Sequence, residues 1–184
     1  LPSLAIGLLV VGTTAWVTGA MHYDGLADSL DGLWGGWSPK QRLDIMKDSH
    51  IGVYGVVGLT CILGLQATLY GQLAAQSLWP ILGVMALSRA MMVPLMTALP
   101  NARGTGLSAS VGRPAPQTAS LALALGAAVA ALSGAWPALI GAPLGAWAVA
   151  IVAKRKIGGQ TGDILGACQQ CAETCALICL VAFL

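Results

Sequence analysis

Charge is scarce in this sequence: 9% of its 184 residues are Asp, Glu, Lys or Arg, against about 25% in soluble domains. That scarcity excludes a water-soluble globule. The 57% hydrophobic content and mean hydropathy of +0.78 exclude a disordered segment, which would pair low hydrophobicity with high charge. The net charge of +2, with no Lys/Arg face, leaves nothing for nucleic acid to bind. Glutamate and phenylalanine occur once each, and His22 and His50 are the only histidines. What remains is a polytopic membrane protein. Leu1 opens directly on an apolar run, so a native N-terminal segment is expected to precede it.

Six stretches approach the roughly 20 apolar residues that a helix needs to cross a bilayer: 4–21, 51–73, 78–100, 118–134, 138–153 and 164–184. The expectation is all-α: residues 1–184 as one integral-membrane domain of about six transmembrane helices plus a short interfacial helix. Lys40, Arg42, Lys47, Arg103, Arg113, Lys154, Arg155 and Lys156 all fall in the first, third and fifth connections, and the second and fourth are uncharged. Those three connections share one side, which the positive-inside rule makes cytoplasmic. Small residues at helical spacing, such as Gly141 and Gly145, predict close helix packing. Trp16, Trp34, Trp37, Trp79, Trp136 and Trp147 mostly sit near span ends and read as interfacial anchors. Membrane lipid is the surrounding partner; a homo-oligomer is compatible with this composition and not required by it.

The acids are concentrated. Asp24, Asp28, Asp31, Asp44 and Asp48 fall in one window after the first stretch, leaving only Asp163 and Glu173 elsewhere. At about 100° per residue, Asp24, Asp28 and Asp31 lie within roughly 60° on one helix face. Carboxylates so placed repel unless a cation lies between them. Oxygen-only donors suit Mg²⁺, with Mn²⁺ equally admissible, and such ions take phosphate oxygens as further ligands. Two histidines with no Cys or His at ligand spacing argue against zinc. The bland reading of the run is dipole complementation at a helix start.

Other segments add to this. Ser38, Pro39 and Gln41 predict a capped helix start, with Leu43 and Met46 toward the membrane and Asp44 and Asp48 on a polar face. Gly52 and Gly55 allow another helix or a ligand to come close. Lys154, Arg155 and Lys156 precede a Gly-rich turn opening a helix at Asp163, a pattern that cradles phosphates. Cys168, Cys171, Cys175 and Cys179 lie on the helix face away from Asp163 and Glu173, and read as packing residues.

The string HYDGLADSLDGLWGG at 22–36, followed by IMKDSHIGVYG at 45–55, resembles the cobalamin synthase family, the adenosylcobinamide-GDP ribazoletransferases. SRAMM at 88–92, ARGTGL at 102–107 and GGQTGDILGA at 158–167 resemble its later signatures in the same order. Gln170 departs from it, standing where many members carry Glu. The resemblance implies that α-ribazole, or its 5′-phosphate, attacks adenosylcobinamide-GDP and releases GMP. It implies metal ligands among Asp24, Asp28, Asp31, Asp48 and Asp163, and catalytic roles for His22, Asp28 and Arg103, with His22 and Asp28 rivals as general base. Lys154, Arg155, Gly159, Thr161 and Arg89 are the expected substrate-binding residues.

Two rivals stand beside it. A membrane phosphotransferase acting on CDP-alcohols also arrays aspartates at an interface. An ion-coupled transporter would use Arg89 and Glu173 as midplane site residues but leaves the Asp window unexplained. Arg89 and Glu173 share a depth of about 15 Å from the charged end, so they are expected to pair or to point separately into a cavity.

Overall fold

The computed structural model describes residues 1–183, and among them every regular element is helical. The helices are α1 (Ser3–Val17), α2 (Met21–Gly35), α3 (Pro39–Ile45), α4 (Val53–Ala74), α5 (Trp79–Ala90), α6 (Met92–Ala98), α7 (Leu107–Val111), α8 (Pro116–Leu132), α9 (Ala138–Ile157) and α10 (Gly162–Ala182). Four spans, α4, α5 with α6, α9 and α10, are long and apolar enough to cross a membrane. Helices α1 and α2 together make a fifth if counted as one bent span, and α8 is a shorter apolar helix. The expected six is therefore approximate.

The first stretch corrects expectation. It stops at Val17, because Gly19 and Ala20 adopt left-handed backbone at φ 61° and 57°. That turn bends the chain by 92° into α2. The acidic window thus begins on α2, which packs against α10 and α4. Similarly, the third stretch breaks at Met91, where Pro94 has no N–H for the Ala90 carbonyl.

Helix α10 is the centre, with 72% of its apolar window buried inside the bundle. Helix α9 approaches it so closely that a Cβ at Gly141 or Gly145 would lie 2.3 or 2.4 Å from the Cys175 or Cys171 carbonyl oxygen. The cysteines are free: Cys168 is buried, Cys171, Cys175 and Cys179 are half-buried on α10, and Cys61 is exposed on α4. Helix α3 starts at Ser38, whose hydroxyl accepts from the Gln41 amide; the Gln41 side chain accepts from the Trp37 amide, one residue before the usual box. Met46 turns inward beneath Gly32 instead of toward lipid, and Asp48 lies beyond the helix. Each of the six tryptophans is exposed, Trp147 in mid-helix.

Asp31 couples α2 to α4. Its carboxylate oxygens accept from the Gly52 and Gly55 amides at 2.7 and 2.9 Å, satisfying two donors at the start of α4. A Cβ at either glycine would strike that carboxylate, so glycine is what permits the contact. Asp31→Ala should therefore lower stability by about 2 kcal/mol, read from denaturant titration in detergent; an unchanged midpoint would refute the capping role.

Candidate functional site

Helix α2 presents its carboxylates in three states: Asp24 exposed, Asp28 half-buried and Asp31 buried. Asp31 is occupied by the α4 amides, so only Asp24 and Asp28 face the open side. They meet the start of α10, because Gly25 packs on Asp163 so tightly that its Cβ would lie 2.9 Å from the Asp163 carbonyl oxygen. A third carboxylate, remote in sequence, thereby joins the first two.

The opposite wall is built from the connections after α6 and α9. Pro100 accepts from the Gln160 amide, and Gln160 accepts from the Ala102 amide, each at 2.8 Å. Asn101 then folds the turn: its carbonyl oxygen accepts from the Arg103 and Gly104 amides, and its amide donates to Ser108. This aims Arg103 at Asp163, with Nη2 donating to Oδ2 at 2.7 Å. The Arg103 Nε is buried and has no hydrogen-bond partner. An unmet buried N–H costs about 1–3 kcal/mol, a deficit that an anionic oxygen would remove.

Electrostatics single out Asp28. Burial, then the charges of Asp24, Asp163 and Asp31, push its carboxyl up to about 7, and Arg103 offsets only part of this. His22 lies elsewhere: on a helix it falls roughly 150° around from the Asp face. Burial and then the Arg89 charge hold it below its ordinary value, so it is neutral at pH 7. Of the two rival bases, Asp28 is the one that looks toward Arg103.

Several expected site residues have other tasks. Gly159 is buried against Pro100, where a Cβ would come within 2.2 Å of the carbonyl oxygen, so glycine is what permits this loop contact. Thr161 caps α10 by accepting from the Ile164 amide, and it donates to Asp163. Asp48 pairs in solvent with His50, whose side-chain hydrogen bond and then backbone amide hold the Asp48 carboxyl below its ordinary value. Lys156 donates to the Leu33 carbonyl and lies 4.3 Å from the Trp34 ring centroid, while Arg42 donates to the Lys156 carbonyl. Those two cations strap α9 to the end of α2. Lys154 and Arg155 remain exposed, without an ion pair among the described residues.

Arg89 and Glu173 do pair, at 3.4 Å. The pairing expectation holds and draws Arg89 away from a direct phosphate role. Sequence reasoning missed Asn101, whose only local signal was an Asn followed by glycines at 104 and 106. It also missed the chain from Tyr23 to Gln66, because the partners lie 43 residues apart.

Among the described residues no three His, Cys, Asp or Glu side chains converge on one point. The donor chemistry nevertheless fits a hard cation: oxygen donors only, with crowded negative charge at Asp28 that Arg103 does not balance. Mg²⁺ ordinarily takes one or two carboxylates, waters and substrate phosphate oxygens, so a ready-made cage is not required.

Fold and site together define the class: a polytopic α-helical membrane protein with a site of carboxylates and arginine at the charged end of its bundle. The chain belongs to the cobalamin-5-phosphate synthase family, whose profile matches residues 1–181. It is 42% identical over 194 aligned residues to the adenosylcobinamide-GDP ribazoletransferase of Brucella canis, covering 98% of this chain and 75% of that protein. The protein of that name from Bradyrhizobium diazoefficiens is 43% identical over 192 residues, covering 99% and 72%. No solved structure matches the chain.

Proposed function

We propose that this chain transfers ribazole onto adenosylcobinamide-GDP, the substrate and group for which its relatives are named, at the cytoplasmic face of a bacterial or archaeal inner membrane. A hydroxyl of α-ribazole, or of its 5′-phosphate, attacks the phosphorus attached to cobinamide. The new P–O bond forms as the bond to the GMP phosphate breaks; GMP leaves and the hydroxyl proton is released. Family membership supports this reading over the CDP-alcohol and transporter alternatives.

The observation that carries it is the buried, unpartnered Nε of Arg103, fixed beside Asp163 and within electrostatic reach of Asp28. Arg103 gives one side of its fork to Asp163 and keeps donors for a phosphate oxygen. Asp28, poised near neutrality, accepts the proton of the attacking hydroxyl, a task best served by a group whose pKa lies near the working pH. Asp24 and Asp163 are the residues that would hold a divalent cation. Such an ion, when bound, neutralises charge developing on the phosphates. Lys154 and Arg155 attract the nucleotide from solution without contacting the reacting atoms.

The test is GMP release by the purified protein in lipid nanodiscs, given adenosylcobinamide-GDP and α-ribazole, with Mg²⁺ or with chelator. Release that needs both substrates and is lost with chelator is expected. No release under any condition overturns the transferase reading; full release in chelator overturns the metal.

A further inference from the structure

A cluster of polar side chains lies buried or half-buried inside the spans: Gln66 and Tyr70 of α4, Ser88 and Arg89 of α5, and Gln169, Gln170, Glu173 and Thr174 of α10. Buried groups of this kind have to satisfy one another. The Glu173 carboxylate, wholly buried, accepts from Tyr70 at 2.6 Å, Gln169 at 2.6 Å, Ser88 at 3.0 Å and Arg89 at 3.4 Å. From there the bonds run in one sense. The Gln169 carbonyl oxygen accepts from Gln170 at 2.8 Å, and the Gln170 oxygen accepts from Gln66 at 2.9 Å. The Gln66 oxygen accepts from the Tyr23 hydroxyl at 3.1 Å, and the Gln66 amide also donates to Thr174.

Each amide is thereby held in one orientation, since flipping any one would set donor against donor or acceptor against acceptor along the chain. The last member, Tyr23, belongs to α2 and directly precedes Asp24. The far end of α2 is held separately by Asp31 on α4 and by Lys156 on the Leu33 carbonyl. The near end, where the proposed reactive carboxylates stand, packs closely on α10 at Gly25 and Gly166. Among the described residues the Tyr23 hydroxyl makes the one side-chain hydrogen bond from residues 21–28 to the bundle.

We infer that Tyr23, Gln66, Gln170, Gln169 and Glu173 act as a relay of positioning residues that sets the rotation of α2 and so aligns Asp24 and Asp28 with Arg103. This rests on the transferase reading for its effect on rate, but the alignment itself is a property of the fold. The leverage is large, because a misplacement of about 1 Å at reacting groups costs about 100-fold.

Tyr23→Phe tests this with the ring retained, and Gln66→Leu breaks the next link. Each should lower kcat at least tenfold with KM for both substrates within twofold. The double variant should be no worse than the poorer single, since both cut one chain. Leu87→Ala, in the apolar core away from the relay, should lower stability while keeping kcat. Pulsed EPR between spin labels at positions 21 and 107, in a cysteine-free background, should show a broader distance distribution in Tyr23→Phe than in the parent. A kcat within twofold of wild type for Tyr23→Phe, a loss matched by Leu87→Ala, or an unchanged distance distribution each overturns the relay. If the parent releases no GMP, the transferase reading fails and the EPR distances still decide the alignment.

Discussion

Asp28→Asn should reduce GMP release by about 10²–10⁴-fold, the contribution expected of a positioned proton acceptor, while the protein still inserts and folds. The substitution removes the charge and keeps the shape. It also relieves repulsion from Asp24, Asp163 and Asp31, so stability at pH 8 should hold or rise; a collapse of the fold would refute this account. The sign with pH follows from the same crowding. With its carboxyl raised to about 7, Asp28 is protonated below neutrality, so kcat/KM of the wild-type chain should rise with pH and level off above about 7. A bound cation favours the carboxylate, so added Mg²⁺ should move that limb to lower pH. The residual activity of Asp28→Asn should lack the limb. Initial rates across pH 5–9 at two Mg²⁺ concentrations decide it, and a variant within fivefold of wild type would remove Asp28 from the mechanism.

Arg103→Ala should cost about 10²–10³-fold, the effect of losing one preorganised donor at a site of developing charge. Arg103→Lys should recover little of this. Lysine can keep an ion pair with Asp163, but it is a point charge and lacks the second N–H that the arginine fork holds out. Both variants leave Asp163 without its guanidinium partner, so a small stability loss is expected beside the catalytic one. Guanidinium ion added to Arg103→Ala should restore part of the rate, which a purely structural arginine would not allow. Rates of Arg103→Lys equal to wild type would exclude the fork.

How much of this could be read from the chain follows from which interactions are local. The membrane class, the helical content, the clustering of aspartates on one helix face and the Ser38 cap all arise from composition or from contacts a few residues apart. The sequence of 184 residues carries those directly. The family resemblance was also legible, because its motifs are contiguous strings. What the residues alone left undecided depends on contacts between segments far apart in the chain, which pack α2, entered by the 92° turn after Val17, against α10 and α4. Only that packing brings Asp28 toward Asp163 and Arg103, lets Asp31 be drawn off by Gly52 and Gly55, and carries Tyr23 to Gln66. The same physics explains the role of Gly159. A glycine-rich turn before a helix offers the same free amides to a phosphate as to a neighbouring loop. Which of the two claims them is decided by the backbone of residues 100–102, some 60 positions away along the chain.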